Sequence, residues 1–112
     1  MAKFIYLFRN DPTAHRSISP EQMQQMMKKW MDWKAGLEKD GHIKQLGERL
    51  DPSGKVVRAR AVTDGPFVEV KDSVQGFIMV EAADMEQAVE LAKGCPILEG
   101  DGTVEVRAIV TM

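Results

Sequence analysis

The first apolar run of the chain predicts a central β-strand. Residues 3–8, KFIYLF, are mostly aromatic or branched, and the polar residues 9–11 followed by Pro12 close the run. A continuous apolar run of this length, bounded by turn residues, is typical of a strand that is buried on both faces. We therefore expect residues 3–8 to lie in the interior of a sheet.

The next segment has the pattern of an amphipathic helix. Ser19 occupies the position of an N-cap, Pro20 that of the first helical residue, and Gln22 that of a capping-box partner. Apolar residues then recur at spacings of three and four until Gly41 ends the helix: Met23, Met26, Met27, Trp30, Trp33 and Leu37. This stripe predicts the core-facing side of the helix. An adaptable ligand wall is the alternative, because methionine side chains are flexible and polarizable.

The middle of the chain predicts two strands and a hairpin. Residues 42–50, HIKQLGERL, favour a strand with a bulge at Gly47, and residues 55–62, KVVRARAV, alternate as a second strand. The dipeptide Asp64-Gly65 is a preferred hairpin turn. Residues 67–70 would then form the short partner of the strand at 55–62.

The last third of the chain predicts a strand, a helix and a closing strand. Residues 74–82 favour a strand in which Gly76 marks a bulge or a close backbone approach. Asp84 is a suitable cap for a second helix, and Gln87 is placed to close a capping box. Residues 103–110 put four small or branched apolar residues on one side of a final strand.

This order of elements defines the fold class. It predicts an α+β, ferredoxin-like split βαβ fold with an antiparallel sheet and a hairpin inserted before the third main strand. Two helices cover only one face of such a sheet, yet Ile5 and Leu7 make the other side of the first strand apolar as well. Exposed apolar faces usually mark interfaces, so we expect a homodimer with sheet packed on sheet. Such packing would enclose a small-molecule cavity, either between the subunits or between sheet and helix.

Composition narrows the classes of protein and partner. The 112 residues are 44% hydrophobic and 29% charged, as in a single globular domain spanning 1–112. The net charge of −2 gives no basic footprint for nucleic acid or for a membrane surface. The single cysteine, Cys95, excludes an intrachain disulfide, and the N-terminal apolar run is too short for a signal peptide or a membrane span. We expect a cytoplasmic protein.

Most of the chain resembles the YCII-related proteins, in particular the branch named for an Asp-Gly-Pro-Phe motif. The similarity lies in TDGPFVEVKDSVQGFIMVEAADMEQAVELAKGCPILEGDGTVEVRAI and extends upstream through GERLDPSGKVV and SPEQMQQMMKKWMDW. The residues matching the motif and its usual continuation are Asp64, Gly65, Pro66, Phe67, Glu69 and Lys71. The resemblance implies a dimeric α/β-barrel fold and no settled common activity. It also implies a catalytic histidine and aspartate pair in a subunit-associated cleft for some relatives, and association with an extracytoplasmic-function sigma factor for others.

Two functions follow for the candidate site. In the first, a cofactor-free, enzyme-like protein uses Asp64 to orient His15 as a general acid or base on a small anionic molecule. Arg9 would hold the negative charge of that molecule, and Phe67 and Glu69 are further candidates for binding it. In the second, the protein is a non-catalytic ligand-binding or regulatory module, associated with the sigma factor by resemblance. Turn chemistry alone suffices to explain Asp64, and the sequence favours that structural role.

Other chemistry-bearing residues have plain interpretations. His42 should be solvated surface, and Cys95 a packing residue rather than a nucleophile, because the C-terminal end of a helix disfavours a thiolate. Two scattered histidines give no spacing for a metal site, and no cofactor is expected. Arg58, Arg60 and Arg107 form either a cationic patch or, more simply, cross-strand pairs with Glu69 and Glu105.

Overall fold

The computed structural model describes residues 1–11, 18–45, 47–65 and 72–110, with the side chains of residues 44 and 45 left aside. The elements in these ranges are β1 (Ala2–Asn10), α1 (Pro20–Lys39), β2 (Ile43–Gln45), β3 (Gly54–Arg58), β4 (Ala61–Gly65), β5 (Ser73–Ala82), α2 (Met85–Ala92), a 3₁₀ turn (Pro96–Glu99) and β6 (Thr103–Ala108). They confirm the α+β class.

Four strands form the main antiparallel sheet, in the order β2-β5-β1-β6. This is the strand order of a ferredoxin-like split βαβ fold, with β1 central as the apolar run predicted. Phe4, for example, lies opposite Val80 of β5 and Ala108 of β6. Strands β3 and β4 form a separate two-stranded sheet. They follow β2 and precede β5 along the chain, so the presence of the predicted extra hairpin is confirmed.

The first helix begins where its capping residues predicted. The hydroxyl of Ser19 accepts a hydrogen bond from the N–H of Gln22 at 3.2 Å, and the side chain of Gln22 accepts one from the N–H of Ser19 at 3.0 Å. Two of the orphan donors at the helix start are thereby satisfied. At the other end Gly41 has a φ of 78°, a conformation that favours glycine and turns the chain into β2.

The core lies between the helices and one face of the sheet. Tyr6 is central in it, and its hydroxyl donates a hydrogen bond to the carbonyl oxygen of Ala88 in α2 at 2.5 Å. Trp33 of α1 stacks on the Tyr6 ring with a centroid distance of 6.0 Å, and Trp30 meets Phe8 edge-on at 4.9 Å. Burial raises the pKa of Tyr6 to about 12, with a smaller contribution from the nearby Cys95.

The other face of the sheet is apolar at its centre. Ile5 and Leu7 of β1 lie opposite Met79 and Phe77 of β5, and all four side chains are half-buried. We call these four residues the open face. Alternation along β1 places them opposite the buried Phe4, Tyr6 and Phe8, so the residues predicted for the helix-free side do lie there. The homodimer inferred from this face stays a prediction.

The inserted hairpin turns at a different place from the one predicted. The structure pairs Arg58 with Ala61, which makes Ala59 and Arg60 the turn and places Asp64 near the end of β4. The prediction of a turn at Asp64-Gly65 is therefore wrong. The alternating pattern runs through the turn without a glycine or proline to interrupt it, so no turn-forming residue marks its position. The proposed partner strand at 67–70 lies outside the described residues.

The second main strand is shorter than the predicted 42–50. Strand β2 ends at Gln45, and Arg49 later rejoins the sheet through an isolated bridge to Gly76. A Cβ built on Gly47 would overlap the backbone carbonyl of Phe77, so the chain can pass this close to β5 only with glycine. Gly76 also makes a close approach, because a Cβ there would lie 2.8 Å from the carbonyl oxygen of Glu48.

The second helix has the predicted cap in a modified form. The side chain of Asp84 accepts from the N–H of Gln87 at 2.8 Å, as expected. The Gln87 side chain accepts from the N–H of Ala83 rather than from that of Asp84, so the predicted reciprocal box is wrong in its second bond. The helix ends at Ala92.

Candidate functional site

An open cleft of about 1710 Å³ lies between α1, the base of the β3–β4 hairpin and the end of the main sheet. Its α1 wall consists of four methionines, one tryptophan and one lysine: Met23, Met26, Met27, Met31, Trp30 and Lys34. The hairpin contributes Lys55, Thr63 and Asp64, and the sheet contributes Phe8 and Phe77. The cleft therefore has an apolar wall on one side and a charged wall on the other.

The apolar stripe of α1 divides into two parts. Leu37 is buried and Trp33 packs against the core, as a core-facing stripe predicts. Met27 and Met31, in contrast, are 47% and 66% exposed. The prediction of a plain core stripe is wrong for Met27, which is exposed, whereas Met23 and Met26 are half-buried. All three line the cleft, because the first half of the helix faces it. The alternative of an adaptable apolar wall describes this half better.

Asp64 lies on the charged wall of the cleft. Its carboxylate forms an ion pair with the ammonium of Lys55, its partner across the hairpin, and its side chain is 88% exposed. This pairing follows from the turn at Ala59 and Arg60, because residues 55 and 64 are placed symmetrically about it. The acid is thus neither hidden in a turn nor held by its own backbone amides in the described structure.

Of the other residues predicted for the site, the structure describes only Arg9. His15, Phe67 and Glu69 lie outside the described residues, so the pairing of Asp64 with His15 is untested. The guanidinium of Arg9 binds the carboxylate of Glu105 at 2.8 Å and does not belong to the cleft lining, although its neighbour Phe8 does. Alternation along β1 directs these two side chains to opposite faces of the sheet.

The three arginines of the candidate cationic patch lie on two parts of the fold, β6 and the hairpin. Arg107 lies 3.8 Å from Glu105, which also binds Arg9, so the interpretation as ion pairing describes Arg107 better than a shared cationic patch does. Arg58 and Arg60 are exposed on the hairpin instead.

The remaining histidine and the cysteine belong to the framework. His42 is buried, and its Nδ1 lies 2.8 Å from the carbonyl oxygen of Glu81, a contact that requires the proton on Nδ1. The prediction of a solvated histidine is wrong, because the turn at Gly41 returns the chain onto β5. Cys95 is only 2% exposed, and burial raises its pKa to about 12, partly opposed by the backbone N–H of Ile97. The thiol is therefore a packing group at neutral pH, as predicted.

Sequence reasoning missed two parts of the cleft. Lys55, the ion-pair partner of Asp64, could have been found only by placing the hairpin turn correctly. Lys34 follows Trp30 by one helical turn, and its ammonium lies 5.8 Å from the Trp30 ring centroid. Because Lys34 lies at the border of the apolar stripe, the pattern of the helix does not indicate that it lines a cleft.

A comparison with protein families identifies the family of the chain. The sequence profile of the YCII-related domain matches residues 2–112, so the protein belongs to the YCII-related domain family. This domain has a fold of the dimeric α/β-barrel type and no known function. A search among curated proteins finds no match.

The described part of the chain contains neither a membrane-spanning helix nor a cluster of metal-ligating side chains. Neither of its helices is long and apolar enough to cross a membrane. Its histidine, cysteine and carboxylate side chains form no group of three or more arranged to hold a metal ion.

Proposed function

We propose that this protein binds a small molecule in the cleft between α1 and the β3–β4 hairpin. One observation carries the proposal: four methionines of α1 line the same open cleft, two of them well exposed, and Trp30 borders both the cleft and the core. Exposed apolar surface on a soluble domain usually marks an interaction site. Methionine side chains adapt their shape to a bound group, and a pocket of apolar walls with a few polar groups is the usual form of a ligand site.

The walls of the cleft favour a largely apolar, uncharged ligand. Trp30 and Met26 offer a flat and an adaptable surface for the body of such a ligand, and the Lys55–Asp64 pair offers a donor and an acceptor for a polar substituent. The expected anionic ligand has less support. Acids outnumber bases among the described lining residues: Asp11, Glu48, Asp64, Glu99 and Asp101 against Lys34, Arg49 and Lys55.

A thermal-shift experiment with matched variants tests this proposal. A panel of neutral aromatic and aliphatic compounds is screened, and a ligand present at one hundred times its Kd should raise stability by about 2.7 kcal/mol, or the Tm by about 10 °C. Met26→Gln should abolish the shift, because it places an amide in the apolar wall. Met85→Gln, on the exposed side of α2 and away from the cleft, should preserve it. Equal shifts in both variants, or no shift with any compound, would contradict the proposal.

Proton transfer by Asp64 and His15 is a second candidate function, supported by the position of Asp64 on the cleft wall. A carboxylate there could accept a proton from a bound molecule or orient His15 for that purpose. Asp64→Asn and His15→Gln should each abolish turnover of an identified ligand while leaving its Kd nearly unchanged. Turnover that survives both substitutions would leave ligand binding as the function. The expected association with a sigma factor stays a prediction from resemblance.

We also propose that the open face packs against a second copy of the chain. The support is its apolar centre, Ile5, Leu7, Phe77 and Met79, together with the barrel type of fold to which the family belongs. A Leu7→Lys substitution places a charge at this centre, which should weaken self-association. Sedimentation velocity would show it as a smaller particle, whereas an unchanged sedimentation coefficient would argue against this contact.

A further inference from the structure

The β3–β4 hairpin, residues 54–65, projects as an arm. Among the described elements its two strands pack on each other and make at most slight contact with the rest. Val57 and Val62 lie directly opposite each other in the arm and are 75% and 62% exposed. A two-stranded hairpin alone is marginally stable in water, and exposed valine pairs gain stability by burial. The arm therefore presents an apolar pair that a second surface could cover.

The exposed valines share one face of the arm with Lys55 and Asp64. Lys55 pairs with Asp64 and Val57 with Val62, and alternation puts these four residues on one face. Lys55 and Asp64 line the cleft, whereas the valines lie two residues nearer the tip and are not part of its lining. The apolar part of this face thus extends beyond the cleft of its own chain.

The cleft itself is larger than a ligand requires. Ligand pockets commonly enclose about 300–1,000 Å³, and this cleft measures about 1710 Å³. Several of its lining residues are large, apolar and well exposed: Met27, Met31 and Leu50. The arm and the cleft wall thus each carry exposed apolar side chains, which would cover each other.

The charges of the two surfaces are complementary. Arg58 and Arg60 are exposed at the tip of the arm. Five acids and three bases belong to the described lining of the cleft, and Lys29 outside the lining pairs with Glu99, which leaves one more acid than bases. The exposed Glu48 and Asp101 are among the acids. Opposite charges across an interface steer association and fix its register.

We propose that the arm of one copy docks in the cleft of a second copy, and that the second copy returns the same contact. Val57 and Val62 then pack against the methionine wall of the partner, while Arg58 and Arg60 approach the acidic rim. Such a reciprocal contact is isologous and closes at two copies. The partner's arm reduces the cleft to the size of a ligand pocket and adds residues to its wall. The arm needs only the surface of the cleft for docking, so the contact does not require that a ligand binds there.

Intermolecular disulfide formation tests the docking directly. Arg60→Cys and Met31→Cys are made in separate chains, mixed and oxidised. We expect a mixed disulfide dimer of twice the 12.5 kDa chain mass, identified by mass spectrometry. The matched control replaces Met31→Cys with Gln25→Cys, which lies on α1 outside the cleft lining. Cys95 is buried and should not compete. Equal yields from both mixtures, or no mixed dimer in either, would overturn the proposal.

Charge reversal gives an independent test that leaves the core untouched. Arg58→Glu with Arg60→Glu should weaken association at least tenfold in sedimentation velocity and leave the circular dichroism spectrum unchanged, because the arm tip is exposed. Mixing this chain with a Glu48→Arg, Asp101→Arg chain should restore association. If neither double substitution changes the strength of association, or if the wild-type chain is monomeric, the docking is refuted.

The two proposals fail in distinguishable ways. Equal ligand-induced thermal shifts in Met26→Gln and Met85→Gln would contradict ligand binding and say nothing about the arm. Absence of the mixed disulfide would contradict docking of the arm and say nothing about ligand binding. A mixed disulfide that still forms when Leu7→Lys is also present separates the arm contact from the contact through the open face.

Discussion

The buried thiol of Cys95 should make the protein unstable at alkaline pH. The folded state holds the thiol proton up to a pKa of about 12, against an ordinary value of 9.0. Above pH 9 the unfolded chain releases this proton while the folded chain retains it, so ionisation favours unfolding. The stabilising effect of the buried neutral thiol is complete below pH 9 and is lost as the pH rises toward 12.

The magnitude follows from the two pKa values. At pH 10.5 the unfolded thiol is mostly ionised and the folded thiol mostly protonated, which lowers the free energy of unfolding by about 2 kcal/mol. A Cys95→Ala variant loses packing at every pH but lacks this ionisation. Its free energy of unfolding should therefore fall by about 2 kcal/mol less than that of the wild type between pH 7.5 and 10.5.

Urea unfolding at the two pH values, with a reductant present, measures the difference. Tyr6 remains in both proteins, and because burial is the larger cause of its raised pKa, most of its contribution cancels in the comparison. A wild type and a Cys95→Ala variant that lose the same free energy over this interval would refute the reasoning, since the thiol would then be ionisable in the folded state.

Two other substitutions test the packing of the sheet, each by urea unfolding at neutral pH. Tyr6→Phe removes the donor to the buried carbonyl of Ala88 and should cost about 1–3 kcal/mol; a neutral effect would mean that this hydrogen bond contributes nothing. Gly47→Ala should cost roughly 3 kcal/mol or more, because the new methyl group overlaps the backbone of Phe77. Gly36→Ala, on an open surface of α1, is its control and should stabilise by up to about 1 kcal/mol; similar losses in both would contradict the proposed overlap.

Local signals in the sequence were sufficient for most of the fold. Ser19 and Gln22 specify the start of α1 through bonds within one turn of the helix, and Gly41 specifies its end. The unbroken apolar run at 3–8 specified a central strand. The order of the elements then allowed few sheet topologies, because consecutive elements pack close together with short connections. For the candidate site, the sequence singled out Asp64, which does line the cleft.

Only the tertiary structure decided what each exposed or buried surface does. The methionine stripe of α1 has the same periodicity whether it meets a core or a cleft, so periodicity could not show that Met27 remains exposed. The pairing of Asp64 with Lys55 depends on a turn at Ala59 that no glycine or proline marks. The separation of Arg9 from the cleft depends on the face of β1 toward which each side chain points. The sequence by itself determined the elements and their order, since those depend on neighbours along the chain. The surfaces and their partners depend on contacts between distant residues, and the folded structure alone fixes them.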